Sequence, residues 1–141
     1  MTENNYTSPS VGHNIYATFW LGKNPNNLDI LNNQHGVLKS LLEKALLKDK
    51  FNVIKWIDEK FTPQGYSGLA LLSESHLTVH TYPEHTTLEF DMSSCRGPED
   101  CSKTFKYIQE ELGNPLLLTY INIKSPKTIA AAIELGTIPE T

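Results

Sequence analysis

A chain of 141 residues, 39% hydrophobic and 20% charged, has the size and composition of one globular domain and is too short to build two cores. A net charge of −4 with scattered lysines offers no basic patch, which sets nucleic acid aside as a partner. No apolar run approaches the roughly 18 residues of a membrane span, and Met1 to Gly12 is polar, with neither a basic start nor an apolar segment. Neither an export signal nor a membrane anchor is therefore expected, and the cytoplasm is the expected compartment.

After a loose tail rich in Asn, Ser and Thr (Met1 to Val11), His13 to Leu21 reads as a strand, with Ile15, Ala17 and Phe19 alternating against Tyr16, Thr18 and Trp20. Asn24 to Asn33 reads as a turn-rich passage. Val37, Leu38, Leu41, Leu42 and Ala45 then recur at helical spacing in a helix that runs to about Lys48. Phe51 to Phe61 is a second strand, Pro63-Gln64-Gly65 a turn, and Ser67 to Ser73 and His76 to Tyr82 are two further extended segments. Within them, Ser67-Gly68-Leu69-Ala70-Leu71-Leu72 reads as a buried strand. Thr87 to Ser93 is another strand, with Leu88, Phe90 and Met92 on one side. Gly97-Pro98-Glu99-Asp100 carries helix-start signals, and Cys101, Phe105, Ile108 and Leu112 form a stripe that Gly113 ends. Leu116 to Ile123 is a strand, and Ser125-Pro126 caps a short last helix through Ala130 to Leu135. The two halves run through a similar order of elements without a sequence repeat. Strands with hairpin-like neighbours and two main helices predict an α+β fold, a two-layer sandwich of an antiparallel sheet with helices on one face.

Two cysteines, Cys95 and Cys101, have five residues between them rather than the two of a zinc or redox pair. Cys101 falls on the helix stripe and reads as a small core residue, whereas Cys95 stands just past a strand end, where reactive groups often lie. A disulfide between them is not expected in a chain without an export signal.

The chemistry concentrates in Ser73-Glu74-Ser75-His76-Leu77-Thr78-Val79-His80-Thr81-Tyr82-Pro83-Glu84. In an extended segment His76, Thr78, His80 and Tyr82 share one face, and Leu77, Val79 and Thr81 take the other. By pattern alone this fits a site-building strand and an ordinary half-exposed strand equally well. His76, His80 and His85 bring no third ligand of convincing spacing, so no metal is expected.

This run, preceded by Ser67-Gly68 and four apolar residues, resembles the processing signature of the small prokaryotic S-adenosylmethionine decarboxylases, which are made as inactive precursors. The likeness extends from about Gly12 to about Asn122 and is most specific between Phe61 and Cys95. It implies a two-layer α/β sandwich and self-cleavage between Glu74 and Ser75, into fragments of residues 1–74 and 75–141. The smaller fragment would carry a pyruvoyl group made from Ser75. Connectivity allows the chemistry: the Ser75 hydroxyl attacks the Glu74 carbonyl carbon, and the peptide becomes an ester. Loss of the serine α-proton then expels the Glu74 carboxylate, and the resulting dehydroalanine tautomerises and hydrolyses with loss of ammonia. The resemblance assigns Ser67 to the acyl shift and His80 to proton removal, a task that suits an imidazole titrating near neutrality. From the residues alone, Ser67 is a strand-edge hydroxyl and His80 a polar side chain of the sheet.

The resemblance further implies that the pyruvoyl ketone forms a Schiff base with the substrate amine and accepts the electrons released with carbon dioxide. Cys95 matches the residue that then donates a proton. Phe61 and Tyr82 match two aromatics that sandwich adenine, and Glu84 matches the acid that holds the ribose hydroxyls. On their own, Phe61 reads as a strand-end core residue and Glu84 as a solvated loop acid. The chain departs from the family at Arg96, where glycine is usual, at Tyr82, more often tryptophan, and at Gly12-His13-Asn14. A homodimer of cleaved protomers with sites near the interface is the implied assembly, and polyamine synthesis the implied pathway. Two other readings stay open: a pyruvoyl-dependent arginine or ornithine decarboxylase on the same fold, and a regulatory or binding homologue that never cleaves.

Overall fold

The computed structural model describes residues 10–96 and 100–140. Its six strands are β1 (Val11–Trp20), β2 (Val53–Lys60), β3 (Tyr66–Leu72), β4 (Ser75–Tyr82), β5 (Thr87–Ser94) and β6 (Leu116–Pro126). They form one sheet in the order β2-β3-β4-β5-β1-β6, every neighbouring pair antiparallel. The helices are α1 (Asn27–Leu31), α2 (Val37–Lys48), α3 (Ser102–Glu111) and α4 (Ile129–Glu134). This is the expected α+β two-layer sandwich. Among the described residues, no helix is long and apolar enough to cross a membrane.

The core lies between one face of the sheet and helices α2 and α3. Ile15, Ala17 and Phe19 of β1, Leu77 and Val79 of β4 and Leu88, Phe90 and Met92 of β5 alternate into it, the period of two that a one-sided sheet requires. From α2 it receives Leu38, Leu42, Ala45 and Leu46, while Val37 is exposed and Leu41 only partly buried. The buried stripe is thus rotated by one position from the expected one. Phe105 of α3 packs on Phe19 and Phe90, with ring centroids 5.8 and 5.9 Å away, and Ile108 lies one turn further on. Gly113, at φ 82°, ends α3 in a left-handed conformation that favours glycine.

Several boundaries differ from the sequence reading. The passage Asn24 to Asn33 contains α1, a single helical turn whose Leu31 reaches the core. Ser125 and Pro126 belong to β6, paired with Gly12 and Val11. Thr128 caps α4 instead, its Oγ1 accepting from the Ala131 N–H at 3.0 Å. Cys101 is the N-cap of α3 and is buried in the core. Burial pushes its thiol pKa from 9.0 up to about 12. Of the expected helix-start segment, Gly97 to Glu99 lies outside the described residues, and Asp100 bonds to Ser94 and Arg96. Segment 67–72 is buried on one face only: Leu69 and Leu71 remain 41% and 50% exposed. Gly68 on its buried face leaves room for the Trp56 indole, which an added Cβ would meet at 2.9 Å.

Candidate active site

The sequence-predicted residues separate into two clusters at opposite ends of β4. The first is set by register. Ser75 pairs with Ser94, so in an antiparallel ladder the residue before Ser75 faces the residue after Ser94. Glu74 and Cys95 are those residues, and the Cys95 thiol donates to the Glu74 carbonyl oxygen at 2.7 Å. Ser75 alternates with Leu77, Val79 and Thr81 onto the helix side of the sheet. Its hydroxyl is buried and has no hydrogen-bond partner among the described residues. A desolvated hydroxyl thus lies one bond sequence away from a carbonyl whose oxygen already has a donor. That is the polarisation an oxyanion at Glu74 needs.

Arg96, where the sequence leaves the family pattern, anchors this corner. Its Nε and Nη2 donate to the two carboxylate oxygens of Asp100 at 2.7 and 2.6 Å, a bidentate fork. Nη2 also donates to the Asp49 carbonyl at 2.7 Å, and the guanidinium lies 3.9 Å over the Phe51 ring. Burial works against the guanidinium charge, but Asp100 and then Glu74 and Asp49 outweigh it and raise its pKa. The β3–β4 turn is held from the same loop, with Ser73 N–H donating to the Asn52 carbonyl at 3.2 Å. Asp49 in turn accepts from Thr104 N–H and Oγ1, both at 2.7 Å, at the start of α3.

The second cluster is on the open face, towards the far end of the sheet. Ser67 and His80 are directly opposed on β3 and β4, with Oγ 2.7 Å from Nδ1. They line a cavity of about 350 Å³ with Ile57, Asp58, Leu69 and Thr78. Tyr82, two residues on, shares their face and donates to Glu89 Oε2 at 3.3 Å. Desolvation, then the Glu89 charge, raises its phenol pKa. Phe61 is half exposed at the end of β2, its N–H bonded to the Gly65 carbonyl at 2.9 Å. Glu84, in the turn after β4, accepts from Gln64 Nε2 at 3.5 Å. The three substrate-binding candidates therefore gather near the Ser67–His80 pair, away from Ser75.

Within one chain the two clusters do not meet. Ser75 and His80 lie five positions apart on one strand, which at ~3.3 Å per residue is about 16 Å, and an odd separation sends their side chains to opposite faces. His76 is half-buried on the open face and His85 sits in the turn beyond β4; among the described residues no three metal-ligating side chains converge. Sequence reasoning missed Asp49 and Asp100, and saw in Arg96 and His13 only departures from a pattern. His13 is buried in register with Ser94, and its Nε2 bonds to Asn122 Oδ1.

The fold is a one-sheet, two-layer sandwich that brings a Glu-Ser peptide under a thiol. The S-adenosylmethionine decarboxylase family model matches residues 25–117, and the chain belongs to that family. An S-adenosylmethionine decarboxylase proenzyme of Anoxybacillus flavithermus is 34% identical over 104 residues, which cover 74% of this chain and 79% of that protein. One from Clostridium botulinum is 37% identical over 86 residues, or 61% and 73% of the two chains. The crystal structure of the adenosylmethionine decarboxylase from Aquifex aeolicus has the same fold, with a TM-score of 0.68 and 24% identity over 86% of this chain and 94% of that one.

Proposed function

We propose that this chain is a self-processing, pyruvoyl-dependent enzyme that decarboxylates S-adenosylmethionine to the aminopropyl donor of spermidine synthesis in the cytoplasm. The observation that carries the reading is the Cys95 thiol on the Glu74 carbonyl oxygen, beside the buried Ser75 hydroxyl. These residues fit a pyruvoyl precursor: nucleophile, scissile carbonyl and oxyanion donor are adjacent in the uncut chain. Ser75 Oγ attacks the Glu74 carbonyl carbon, Cys95 Sγ–H donates to the oxyanion, and nitrogen leaves to give the ester. A base then removes the Ser75 α-proton and the Glu74 carboxylate departs, leaving chains 1–74 and 75–141. The pyruvoyl carbonyl supplies an electron sink for loss of carbon dioxide. Cys95 stays beside that position with a proton to give, and Phe61, Tyr82 and Glu84 would stack on the adenine and hold the ribose.

His80 serves as the base from a second protomer. Its own Ser75 is about 16 Å away along the strand, whereas the open face around His80 exposes Ile57, Leu69 and Leu71, an apolar surface suited to a second copy. Two sheets stacked antiparallel on these faces would set the Ser67–His80 pair of one chain towards the Glu74–Ser75 corner of the other. Each site would then contain both clusters.

Intact mass of purified protein tests the processing. The expected products are fragments of 74 and 67 residues, the smaller without a free amino terminus, with Ser75→Ala uncut. A wild type that stays whole on long incubation sinks the reading. Carbon dioxide release from S-adenosylmethionine, arginine and ornithine, measured side by side, tests the substrate. Release from arginine or ornithine alone overturns the substrate and leaves the self-cleavage standing.

A further inference from the structure

The residue after Cys95 is built into the corner more firmly than Cys95 itself. Among the described residues Cys95 makes one side-chain hydrogen bond, to Glu74 O, and stands in the loop that leaves β5. Arg96 beside it has five side-chain interactions. Two strong bonds form the fork on Asp100; one strong and one long bond, at 2.7 and 3.4 Å, go to the Asp49 and Lys50 carbonyls; the fifth is the stack on Phe51. The carbonyls lie just past the end of α2, where the helix dipole favours a cation. The backbone is drawn in as well: Ser94 Oγ accepts from Arg96 N–H at 3.3 Å and donates to Asp100. The same α2–β2 loop holds the scissile turn through Asn52 and Ser73. One short loop, residues 49–52, thus holds both the strand end that carries the thiol and the turn that carries its acceptor.

Resting on the self-processing reading, we propose that Arg96 is a positioning residue for Cys95: its clamp on Asp100, Asp49 O and Phe51 keeps the thiol on the Glu74 carbonyl oxygen through the acyl shift. A planar fork is needed because one cation must satisfy a carboxylate edge and a carbonyl at once while lying flat on a ring. An ammonium group can keep the charge but not that arrangement. Glycine at this position leaves the loop without such an anchor.

The test uses Arg96→Gln, Arg96→Lys and Asp100→Asn in the full chain, with two readouts. The first is the rate at which the 67-residue fragment appears by intact mass. The second is the iodoacetamide alkylation rate of Cys95 in the same variants carrying Ser75→Ala, where no chain is cut and buried Cys101 is an internal control. A displaced thiol should slow processing by about tenfold or more, since a shift of about 1 Å can cost on the order of 100-fold. Alkylation of Cys95 should accelerate by a similar factor, with Arg96→Lys and Asp100→Asn intermediate. A role in stability alone predicts a lower melting temperature with both rates unchanged below it. Both rates within about twofold of the parent in Arg96→Gln would overturn the proposal. Should Arg96→Gln fail to fold, Arg96→Lys and Asp100→Asn decide by the same criterion. If the wild type itself never cuts, the self-processing reading fails, and the alkylation arm still decides whether Arg96 holds the thiol.

Discussion

Mixing two inactive variants probes the two-protomer site directly. Ser75→Ala keeps Ser67 and His80 and has no nucleophile; His80→Ala keeps Ser75 and Cys95 and has no base. Because the two clusters lie at opposite ends of β4, the proposed shared site requires that neither variant process alone. Random reassortment of a symmetric dimer pairs about half of the His80→Ala chains with a Ser75→Ala partner. Only there do Ser75 and Cys95 of one chain face an intact imidazole of the other. A positioned general base contributes typically ~10²–10⁴-fold, or about 3–5 kcal/mol of barrier. By the time complemented chains finish, the uncomplemented background should therefore be about 1% or less. With the His80→Ala chain isotope-labelled and the proteins mixed in equal amounts, intact mass should show about half of the labelled chains cut, the new 67-residue fragment blocked at its amino terminus. Labelled His80→Ala alone should stop at or before the ester and release fragments with hydroxylamine only if the ester has formed. No more cutting in the mixture than in His80→Ala alone, with subunit exchange verified by native mass spectrometry, would refute the shared site.

Cys95→Ala removes the only donor described on the Glu74 oxygen and should slow cleavage by up to about 10². The cut fraction should turn over slowly and protonate the wrong carbon, restoring a free amino terminus on the 67-residue chain; full turnover would take Cys95 out of the mechanism. Replacing Phe61 and Tyr82 with alanine should weaken competitive inhibition by adenosine by roughly 1–3 kcal/mol per side chain, while failure of adenosine to compete in the wild type would argue for a smaller, cationic substrate. Cys101 should mark the alkaline limit of stability. Its folded pKa, about 12, lies above the unfolded 9.0, so its contribution is complete below pH 9. Above that the unfolded chain alone loses the proton, and stability falls by up to about 1.4 kcal/mol per pH unit until the folded thiol also titrates. Urea titrations should show Cys101→Ala losing less stability than the wild type between pH 9 and 11, and parallel losses would reject the assignment.

Apolar and polar patterning located five of the six strands to within a residue or two, four of them by the alternation that a one-sided sheet imposes on the chain and β3 by its apolar run. The reactive residues were legible for a different reason. Ser67, Glu74, Ser75, His80 and Cys95 were singled out by the likeness of their run to a family's processing signature, whereas from the residues alone Ser67 and His80 read as ordinary strand side chains. Local pattern was weakest where tertiary contact decides. Thr128 rather than Ser125 caps α4 because β1 extends β6 through Pro126 by pairing with it. Leu69 and Leu71, apolar in a run that reads as buried, lie on a face that one chain leaves open, a vacancy visible only once the helices are placed on the other side. Tertiary structure alone decided which reactive groups meet. Register lays Cys95 over Glu74, strand alternation turns His80 away from Ser75, and a loop some 45 residues earlier in the chain receives Arg96. None of these relations is encoded in spacing along the sequence, because each depends on which strand end lies beside which loop.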